Sequence, residues 1–238
     1  MLRLWPDPDG KPLSDAELIR LYSPEPAPWL RVNFAASLDG AVTLEGFSAG
    51  LSGPEDKRVF AILRMLCDAL VVGAGTVRNE GYGALRPPPE RREWRLANGF
   101  AEYPTLVVVS RSLALDPEQA AFAGAPVRPI VLTPAAETDR RIAAVADVVR
   151  YAGDDLADGI AKLRERGFNR ILSEGGPHIL GALTAADLVD ELCLTVAPLL
   201  AGPGAGRITA GRPTPQPRGL ELRHVLSGDG QLMLRYTK

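Results

Sequence analysis

The chain has 238 residues, of which 46% are hydrophobic and 24% are charged, and its formal net charge is −2. This composition is typical of a globular protein, and the length suits one α/β domain with a substantial core but is marginal for two. No apolar run approaches the ~18 residues of a membrane span, and no basic stripe with interleaved aromatic residues is present, so the sequence predicts neither membrane nor nucleic-acid partners.

The few cysteines and histidines exclude further classes of protein. Cys67 and Cys193 each lie in an apolar segment, so neither a disulfide framework nor a metal site is expected. His178 and His224 are the only histidines, so a Ser-His-Asp hydrolase would need one of them as its base, and the sequence lacks the His-x-Glu and Pro-Cys-x-x-Cys motifs of zinc deaminases. The first residues lack the apolar stretch of a secretory signal, so we expect a cytoplasmic protein.

Residues 1–29 are rich in proline and poor in apolar residues. Ser14 and Glu17 are spaced as a helix cap, which predicts a short helix ending near Tyr22. We expect this segment to be an N-terminal arm that wraps the surface of a single domain formed by residues 30–238.

The core is predicted to begin with a strand at residues 30–36, followed by a turn at Asp39-Gly40. A continuous apolar run at residues 69–72 predicts a buried strand. Residues 80–103 contain three consecutive prolines and many charges, so we expect a long loop there.

A helix is predicted between those two strands. Pro54 and the acids after it are typical of a first helical turn, and Phe60, Leu63 and Cys67 recur at the spacing of a core-facing stripe. Arg64 falls at the edge of this stripe. Its guanidinium either reaches water, pairs with an acid, or binds an anionic substrate.

Strands and helices alternate through most of the remaining sequence. This pattern predicts an α/β fold with a mostly parallel central sheet flanked by helices, and an antiparallel C-terminal hairpin. The predicted strands are residues 105–109, 130–132, 148–149, 170–172, 190–196, 221–226 and 231–236, and the predicted helices are residues 140–146, 156 to Gly167, and 177–186.

Because open α/β sheets bind ligands at the carboxyl ends of their strands, the residues after each buried strand are the candidates for a site. Gly73 and Gly75 follow the strand at residues 69–72, and Thr76 comes next. Two readings stay open: a tight turn into a helix, or a place where the backbone approaches a dinucleotide.

Ser110, Arg111 and Ser112 follow the strand at residues 105–109. A guanidinium between two hydroxyls suits the 2′-phosphate of NADPH, whereas NADH would favour an acid at this point. An exposed loop arginine is the alternative reading.

Glu174, Gly175, Gly176 and Pro177 follow the strand at residues 170–172. The two glycines permit a close approach of a ligand, and the helix that starts at the proline offers free amides to a pyrophosphate. The carboxylate can accept from amino or ring N–H groups of a substrate. A plain connection is the alternative, and His178 is interpreted as a helix residue and not as a catalyst.

Together these motifs resemble those of a known family, the reductase domain of the riboflavin-biosynthesis deaminase/reductase. The similarity covers about residues 30–236 in five ordered blocks, which are residues 35–40, 73–77 with Ser110, 174–177 with 181–183, 189–192, and 197–202. The resemblance implies a dihydrofolate-reductase-like fold, NADPH as hydride donor, a small-molecule substrate and a homodimer. The family reduces the ribosyl group of a phosphoribosylamino-pyrimidine to a ribityl group, with hydride arriving at C1′.

The resemblance also implies roles for individual residues. It places Ala36, Gly50, Thr76, Glu80, Ser110 and the run of residues 176–182 at the cofactor, including His178, Ile179 and Leu180. It places Ser48, Arg64, Leu85, Arg86 and Glu174 at the pyrimidine or its phosphate. The catalytic group is not assigned, and Glu80, Glu174 and Asp39 are its candidates.

The sequence departs from the family pattern at several positions. Asn33 stands where members usually have a lysine, and an amide cannot transfer a proton as a lysine can. Gly50 replaces a tryptophan, Glu80 replaces an aspartate, and we expect a stand-alone reductase without the deaminase domain that is often fused upstream. The resemblance makes a pyrimidine reductase the leading hypothesis. Because of the departures, two alternatives stay open: a pterin or folate reductase, and an NADPH-binding protein without activity.

Overall fold

The computed structural model describes residues 1–23, 27–137, 139–153, 155–213 and 216–238. Within these ranges ten strands form one sheet, in the spatial order β1-β9-β10-β8-β2-β7-β3-β4-β5-β6. The strands are β1 (Leu2–Trp5), β2 (Trp29–Ser37), β3 (Ala69–Gly73), β4 (Thr105–Val109), β5 (Ile130–Thr133), β6 (Asp147–Arg150), β7 (Arg170–Ser173), β8 (Glu191–Ala197), β9 (Glu221–Gly228) and β10 (Gln231–Thr237).

Helices cover both faces of this sheet. They are α1 (Asp15–Tyr22), α2 (Pro54–Met65), α3 (Ala74–Asn79), α4 (Pro89–Ala97), α5 (Ala120–Ala123), α6 (Arg140–Val145), α7 (Leu156–Glu165) and α8 (Pro177–Ala185), with a 3₁₀ turn at Ala49–Leu51. In the part of the chain that the structure describes, no helix is long and apolar enough to cross a membrane.

The block from β8 to β6 is parallel throughout, and β9 and β10 form an antiparallel hairpin beside it. The predicted fold class is therefore confirmed. The chain runs from β2 to β3 and outward to β6, and then returns to place β7 between β2 and β3. Such a reversal of strand order opens a crevice at the carboxyl ends of the strands.

Two apolar clusters fill the space on either side of the sheet. One joins α1 and α2 to the sheet through residues such as Leu18, Ile62 and Leu70, and the other joins α7 and α8 through residues such as Ile160 and Leu183. Buried strands that are covered on both faces are apolar at nearly every position, which is why they were readable from the sequence.

Two elements of the N-terminal segment, β1 and α1, contact the rest of the chain. Ser14 and Glu17 form the predicted capping box of α1, whose Leu18 and Tyr22 are buried. The strand β1 was not predicted, and it extends the sheet by pairing with β9. The division of the chain into an arm and a domain stays a prediction, and residues 24–26 of the arm lie outside the described residues.

The long loop predicted for residues 80–103 is wrong in its middle part, where α4 (Pro89–Ala97) forms. Pro88 and Pro89 begin this helix, because a proline at the first helical position needs no hydrogen-bond acceptor. Its Arg95 is fully buried and donates to the carbonyl oxygens of Met65 and Cys67, at 2.7 and 2.8 Å. The helix is therefore stabilised by carbonyls at the end of α2, which no local pattern reveals.

The predicted core-facing stripe of α2 is only partly right. Leu63 is buried, but the helix ends at Met65, before Cys67. Phe60 is half-buried and lines a cavity together with Arg64. One face of α2 thus packs on the sheet while the neighbouring face borders an open space.

A charged cluster is buried between α1 and the strands β2, β8 and β10. The Glu191 carboxylate accepts from Nε of Arg31 at 2.7 Å and from Nε of Arg235 at 2.8 Å. Burial alone would raise the pKa of Glu191, but the two guanidinium groups outweigh it and hold the pKa at about 2. The same two arginines donate to carbonyl oxygens of Leu21 and Tyr22, which ties the end of α1 to the sheet.

His224 lies beside this cluster, with its ring edge-on to Tyr22 at 4.7 Å between centroids. Burial, and then the charge of Arg235, lower its pKa from 6.5 to about 3. A histidine whose folded-state pKa is lowered binds fewer protons in the folded chain than in the unfolded chain, so stability falls as the pH drops from 6.5 towards 3.

We expect the free energy of unfolding to fall by about 2 to 3 kcal/mol between about pH 7 and pH 4.5 because of this one group. Urea unfolding at the two pH values measures the loss, and the His224→Phe variant should lose correspondingly less. Glu191 does not contribute in this window, because its depressed pKa keeps its stabilising effect complete above pH 4.5. An equal loss in the wild type and the variant would contradict the prediction.

Candidate active site

A cavity of about 820 Å³ opens at the carboxyl ends of the strands where β7 lies between β2 and β3. Its walls come from β2, α2, the turn after β3, the loop after β4 and the start of α8. The volume lies within the range of small-molecule and cofactor sites. The cavity therefore lies where the sequence analysis expected a ligand site, at the carboxyl ends of the buried strands.

Glycines line one side of this cavity. The amide of Gly73 donates to the Gly175 carbonyl oxygen at 2.7 Å, which joins the tips of β3 and β7. A Cβ at Gly75 would meet no atom within 4 Å, whereas one at Gly176 would lie 3.2 Å from Oγ1 of Thr76. The backbone at Gly75 is thus open to the cavity, and a ligand can approach it closely.

Gly175 has a different task. It is buried, its φ is +94°, and a Cβ there would lie 3.1 Å from the ring of Phe34. This backbone conformation favours glycine, and it turns the chain from β7 into α8. The helix begins at Pro177 with Gly176 as its N-cap, and this nine-residue helix directs its positive end at the cavity wall.

Hydroxyl, guanidinium and apolar groups extend the glycine side. Ser110 is buried, and Ser110, Arg111 and Ser112 all line the cavity after β4. Val109, Tyr151 and Leu156 add an apolar wall next to them. Open glycine backbone, a helix start and a cation are groups that bind phosphate oxygens.

Arg64 and Glu174 form a bidentate ion pair on the opposite side. Nε and Nη2 of Arg64 each donate to a Glu174 oxygen at 2.7 Å, and the Tyr82 hydroxyl donates to Oε2 at 2.6 Å. The guanidinium also lies 4.2 Å from the centre of the Phe60 ring. Burial would lower the pKa of Arg64, but the charge of Glu174 outweighs it and raises that pKa. Burial and the neighbouring Glu174 raise the pKa of Tyr82.

A second cavity of about 460 Å³ adjoins the first. The two cavities share Lys57, Phe60, Arg64, Glu80 and Tyr82. The second cavity is additionally lined by Leu85, Arg86 and Arg91. Its cationic lining is suited to a phosphate group.

Two buried polar groups lie on the floor of the first cavity. Asp56 of α2 accepts hydrogen bonds from Ser52 and, at 2.6 Å, from Oγ1 of Thr195. Asn33 of β2 is 7% exposed and also lines this cavity. Thr195 of β8, the partner of Asp56, pairs with Ala35 of β2, which is two residues along that strand from Asn33.

The structure brings most of the predicted site residues to the cavities. Those that line them are Ser48, Arg64, Gly73, Gly75, Thr76, Glu80, Leu85, Arg86, Ser110, Arg111, Glu174, Gly176, Pro177, His178 and Ile179. The lining does not include Ala36, Asp39, Gly50, Gly175 and Leu180. The assignment of the lining residues to cofactor and substrate stays a prediction.

Two catalytic candidates have clear structural partners. Asp39 is exposed and accepts from Ser37 and from the amides of Ala201 and Gly202, so it organises a turn outside the cavity. The hydrogen bond from Ser37 and those two amides hold its pKa at about 2. Glu80 accepts from the Ser48 amide at 2.9 Å, which positions the loop before α2.

Sequence reasoning missed Asp56, Lys57, Tyr82 and Arg91. Asp56 is an acid in the first turn of a helix, which is the ordinary signal of a helix start. Its contact with Thr195 spans 139 residues, so only the fold reveals that it faces a cavity. Tyr82 and Arg91 lie in the segment that was predicted as a loop.

A largely parallel sheet covered by helices, with a cavity at the point where strand order reverses, is typical of α/β proteins that bind small molecules or nucleotides. A family model described as the RibD C-terminal domain matches residues 28–234, and the chain belongs to this family.

Curated relatives and solved structures agree with this assignment. The chain is 31% identical over 74% of its length to the 2,5-diamino-6-ribosylamino-4(3H)-pyrimidinone 5′-phosphate reductase of Archaeoglobus fulgidus, of which it covers 82%. It is 29% identical over 74% of its length to the reductase of the same name from Methanothermobacter thermautotrophicus, of which it covers 80%. A pyrimidine reductase-like protein from Corynebacterium diphtheriae superposes with a TM-score of 0.76 at 26% identity, over 88% of this chain and 91% of that one. The chain is accordingly an oxidoreductase.

Proposed function

We propose that the chain is an NADPH-dependent reductase of riboflavin biosynthesis that converts the ribosyl group of a phosphoribosylamino-pyrimidine to a ribityl group. The family assignment and the names of the two archaeal relatives support this reaction class. The observation that carries the proposal is the pair of joined cavities, with open glycine backbone on one side and four cationic side chains on the other.

NADPH would be held by the glycine side of the first cavity. Gly73, Gly75, Thr76 and the start of α8 suit its pyrophosphate, and Ser110 and Arg111 suit its 2′-phosphate. When bound, NADPH supplies the hydride for C1′ of the ring-opened ribosyl group. The chain's own residues bind and orient the acceptor so that this carbon faces the cofactor side.

The substrate phosphate is placed by the cations around the second cavity. Arg64 stands at the junction, and the bidentate contact with Glu174 fixes the plane of its guanidinium. Lys57, Arg86 and Arg91 line the same cavity. Glu174 therefore acts on the substrate by holding Arg64 in place, and the half-buried Phe60 lines both cavities beside it.

Loss of reduced-nicotinamide absorbance tests the function. We expect the protein to oxidise NADPH with a phosphoribosylamino-pyrimidine and not with dihydrofolate. Oxidation with dihydrofolate alone would favour the pterin or folate reductase. Binding of NADPH without turnover of either compound would favour an inactive nucleotide-binding protein. The presence of Asn33 in place of a lysine is the observation that supports this alternative.

The preference for NADPH over NADH is predicted to depend on Arg111. The Arg111→Ala variant should lose about 10- to 100-fold of this preference, because a charge-assisted contact to the 2′-phosphate is worth roughly 1.5 to 3 kcal/mol. Ratios of kcat/KM for the two cofactors measure it. Arg128→Ala, which removes an exposed ion pair with Asp147, is the control. An unchanged ratio in Arg111→Ala would refute the assignment.

We propose a homodimer, as the resemblance implies. Leu38, Leu199 and Leu200 are exposed apolar residues at one end of the molecule, and the Leu38 amide bonds to the Leu199 carbonyl oxygen. Exposed apolar groups of this kind are typical of interfaces. Sedimentation velocity at micromolar concentration tests it, and a single monomeric species would contradict it. The cytoplasmic location stays a prediction.

A further inference from the structure

The first cavity contains two buried carboxylates, and they differ in what they can still bind. Glu174 has a side chain that is 1% exposed, and it is neutralised by the bidentate contact with Arg64. Its Oε2 also accepts from Tyr82. Glu174 is therefore engaged by the protein itself and is a poor partner for N–H groups of a substrate.

Asp56 is in a different position. It is 4% exposed, and within the described ranges no lysine, arginine or histidine nitrogen lies within ion-pair distance of it. Each of its oxygens accepts one hydroxyl, from Ser52 and from Thr195. A carboxylate has about four acceptor positions, so one position on each oxygen is left for a ligand.

The two oxygens of the Asp56 carboxylate are adjacent acceptors without a neighbouring cation. A ligand that complements them presents two adjacent N–H donors. A 2-aminopyrimidin-4-one presents this pair on one edge, as its ring N3–H and its 2-amino group. The corresponding uracil presents N3–H beside a carbonyl oxygen, which would face a carboxylate oxygen. A site that is built to accept from two donors discriminates strongly against a ligand that lacks one of them.

The position of Asp56 on α2 suits a substrate whose ring lies at Asp56 and whose phosphate lies near Arg64. Asp56, Phe60 and Arg64 follow one another at intervals of four residues and all line the cavity. Asp56 and Arg64 are eight residues apart, so they lie about 12 Å from each other along the helix. A pyrimidine ring joined to an extended five-carbon chain with a terminal phosphate spans a comparable distance, with the ring at Asp56 and the phosphate near Arg64.

We propose that Asp56 is the specificity-determining residue of the substrate site and binds the N3–H and 2-amino edge of a 2-aminopyrimidin-4-one. The chain would then reduce the 2-amino compound in preference to its deaminated uracil counterpart. This inference rests on the proposed function, but it concerns ring recognition and can be measured without turnover.

Ring fragments provide the direct test. Isothermal titration calorimetry with 2,5,6-triaminopyrimidin-4-one and 5,6-diaminouracil compares two ligands that differ only at position 2. The wild type should bind the first at least about tenfold more tightly, which corresponds to about 1.4 kcal/mol. The Asp56→Asn variant presents one acceptor and one donor, which complements the uracil edge, so its preference should reverse.

Controls separate recognition from folding. Asp147→Asn removes an exposed carboxylate and should leave the fragment preference unchanged. Thermal melting of Asp56→Asn shows whether the fold is kept, and Ser52→Ala, which keeps the carboxylate, should preserve the preference for the 2-amino ring. Equal binding of the two fragments by the wild type, or the same preference in Asp56→Asn, would overturn the inference.

Turnover distinguishes this inference from the proposed function. NADPH oxidation with both phosphoribosylamino compounds should show a higher kcat/KM for the 2-amino substrate, and Asp56→Asn should shift the ratio towards the uracil. Fragment discrimination without any NADPH oxidation would leave Asp56 as the ring-binding residue and refute the reductase. Turnover of both substrates with a ratio that Asp56→Asn does not change would support the reductase and refute the role of Asp56.

Discussion

Replacing Arg64 with alanine is expected to lower kcat/KM for the phosphorylated substrate by about a hundredfold or more. The change removes the cation at the junction of the two cavities, and it leaves the buried Glu174 with the Tyr82 hydroxyl as its hydrogen-bond donor. A charge-assisted hydrogen bond is worth roughly 1.5 to 3 kcal/mol, and a guanidinium can offer two of them to a phosphate. Steady-state kinetics measures the loss.

Two comparisons make this prediction specific. Arg64→Lys keeps the charge but loses the bidentate geometry, so it should retain part of the activity. Arg58→Ala alters the same helix, where Arg58 pairs with Asp15 and Glu55 away from the cavities, and should be nearly as active as the wild type. If Arg64→Ala lost equal activity on phosphorylated and dephosphorylated substrate, Arg64 would not be the phosphate ligand.

Replacing Glu191 with glutamine is expected to lower the free energy of unfolding by about 3 to 5 kcal/mol. The variant leaves Arg31 and Arg235 buried with no negative charge between them, and breaking a buried pair in this way is strongly destabilising. Urea unfolding at neutral pH measures the change.

Asp147→Asn is the matched control, because it removes the carboxylate of an exposed pair with Arg128 and should cost less than about 1 kcal/mol. A loss of less than 1 kcal/mol in Glu191→Gln would show that the cluster is not needed for stability. The pKa of about 2 also predicts that the wild type keeps this contribution above pH 4.5 and loses it only as the pH falls towards 2.

The parallel strands could be predicted from the sequence nearly to the residue. The apolar runs at residues 69–72 and 105–109 correspond to β3 (Ala69–Gly73) and β4 (Thr105–Val109), because strands covered on both faces are apolar throughout. The edge strand β1 was not predicted, because it is largely exposed and lacks such an apolar run. Helix α4 was not predicted for a different reason. Its buried residue is Arg95, a charged residue that donates to carbonyl oxygens of another segment, so no apolar stripe marks the helix.

The site was predictable where it depends on strand ends and not where it depends on packing. The positions of Gly75 and Gly176 follow from their place after buried strands. The sequence left three interpretations of Arg64; the structure shows the pair with an acid, Glu174, and the binding of an anionic substrate stays a prediction. The separate tasks that we propose for Glu174 and Asp56 could not be predicted from the sequence, because each depends on partners that are distant in the chain.

The joined cavities have a consequence for inhibitor design. A pyrimidine and a phosphate that bind separately each lose their translational and rotational freedom, whereas a molecule that spans both cavities loses it once. We therefore expect a short linker between a 2-aminopyrimidin-4-one and an anionic group to raise affinity well above that of either fragment. The ring of Phe60, shared by both cavities, marks the path that this linker would follow.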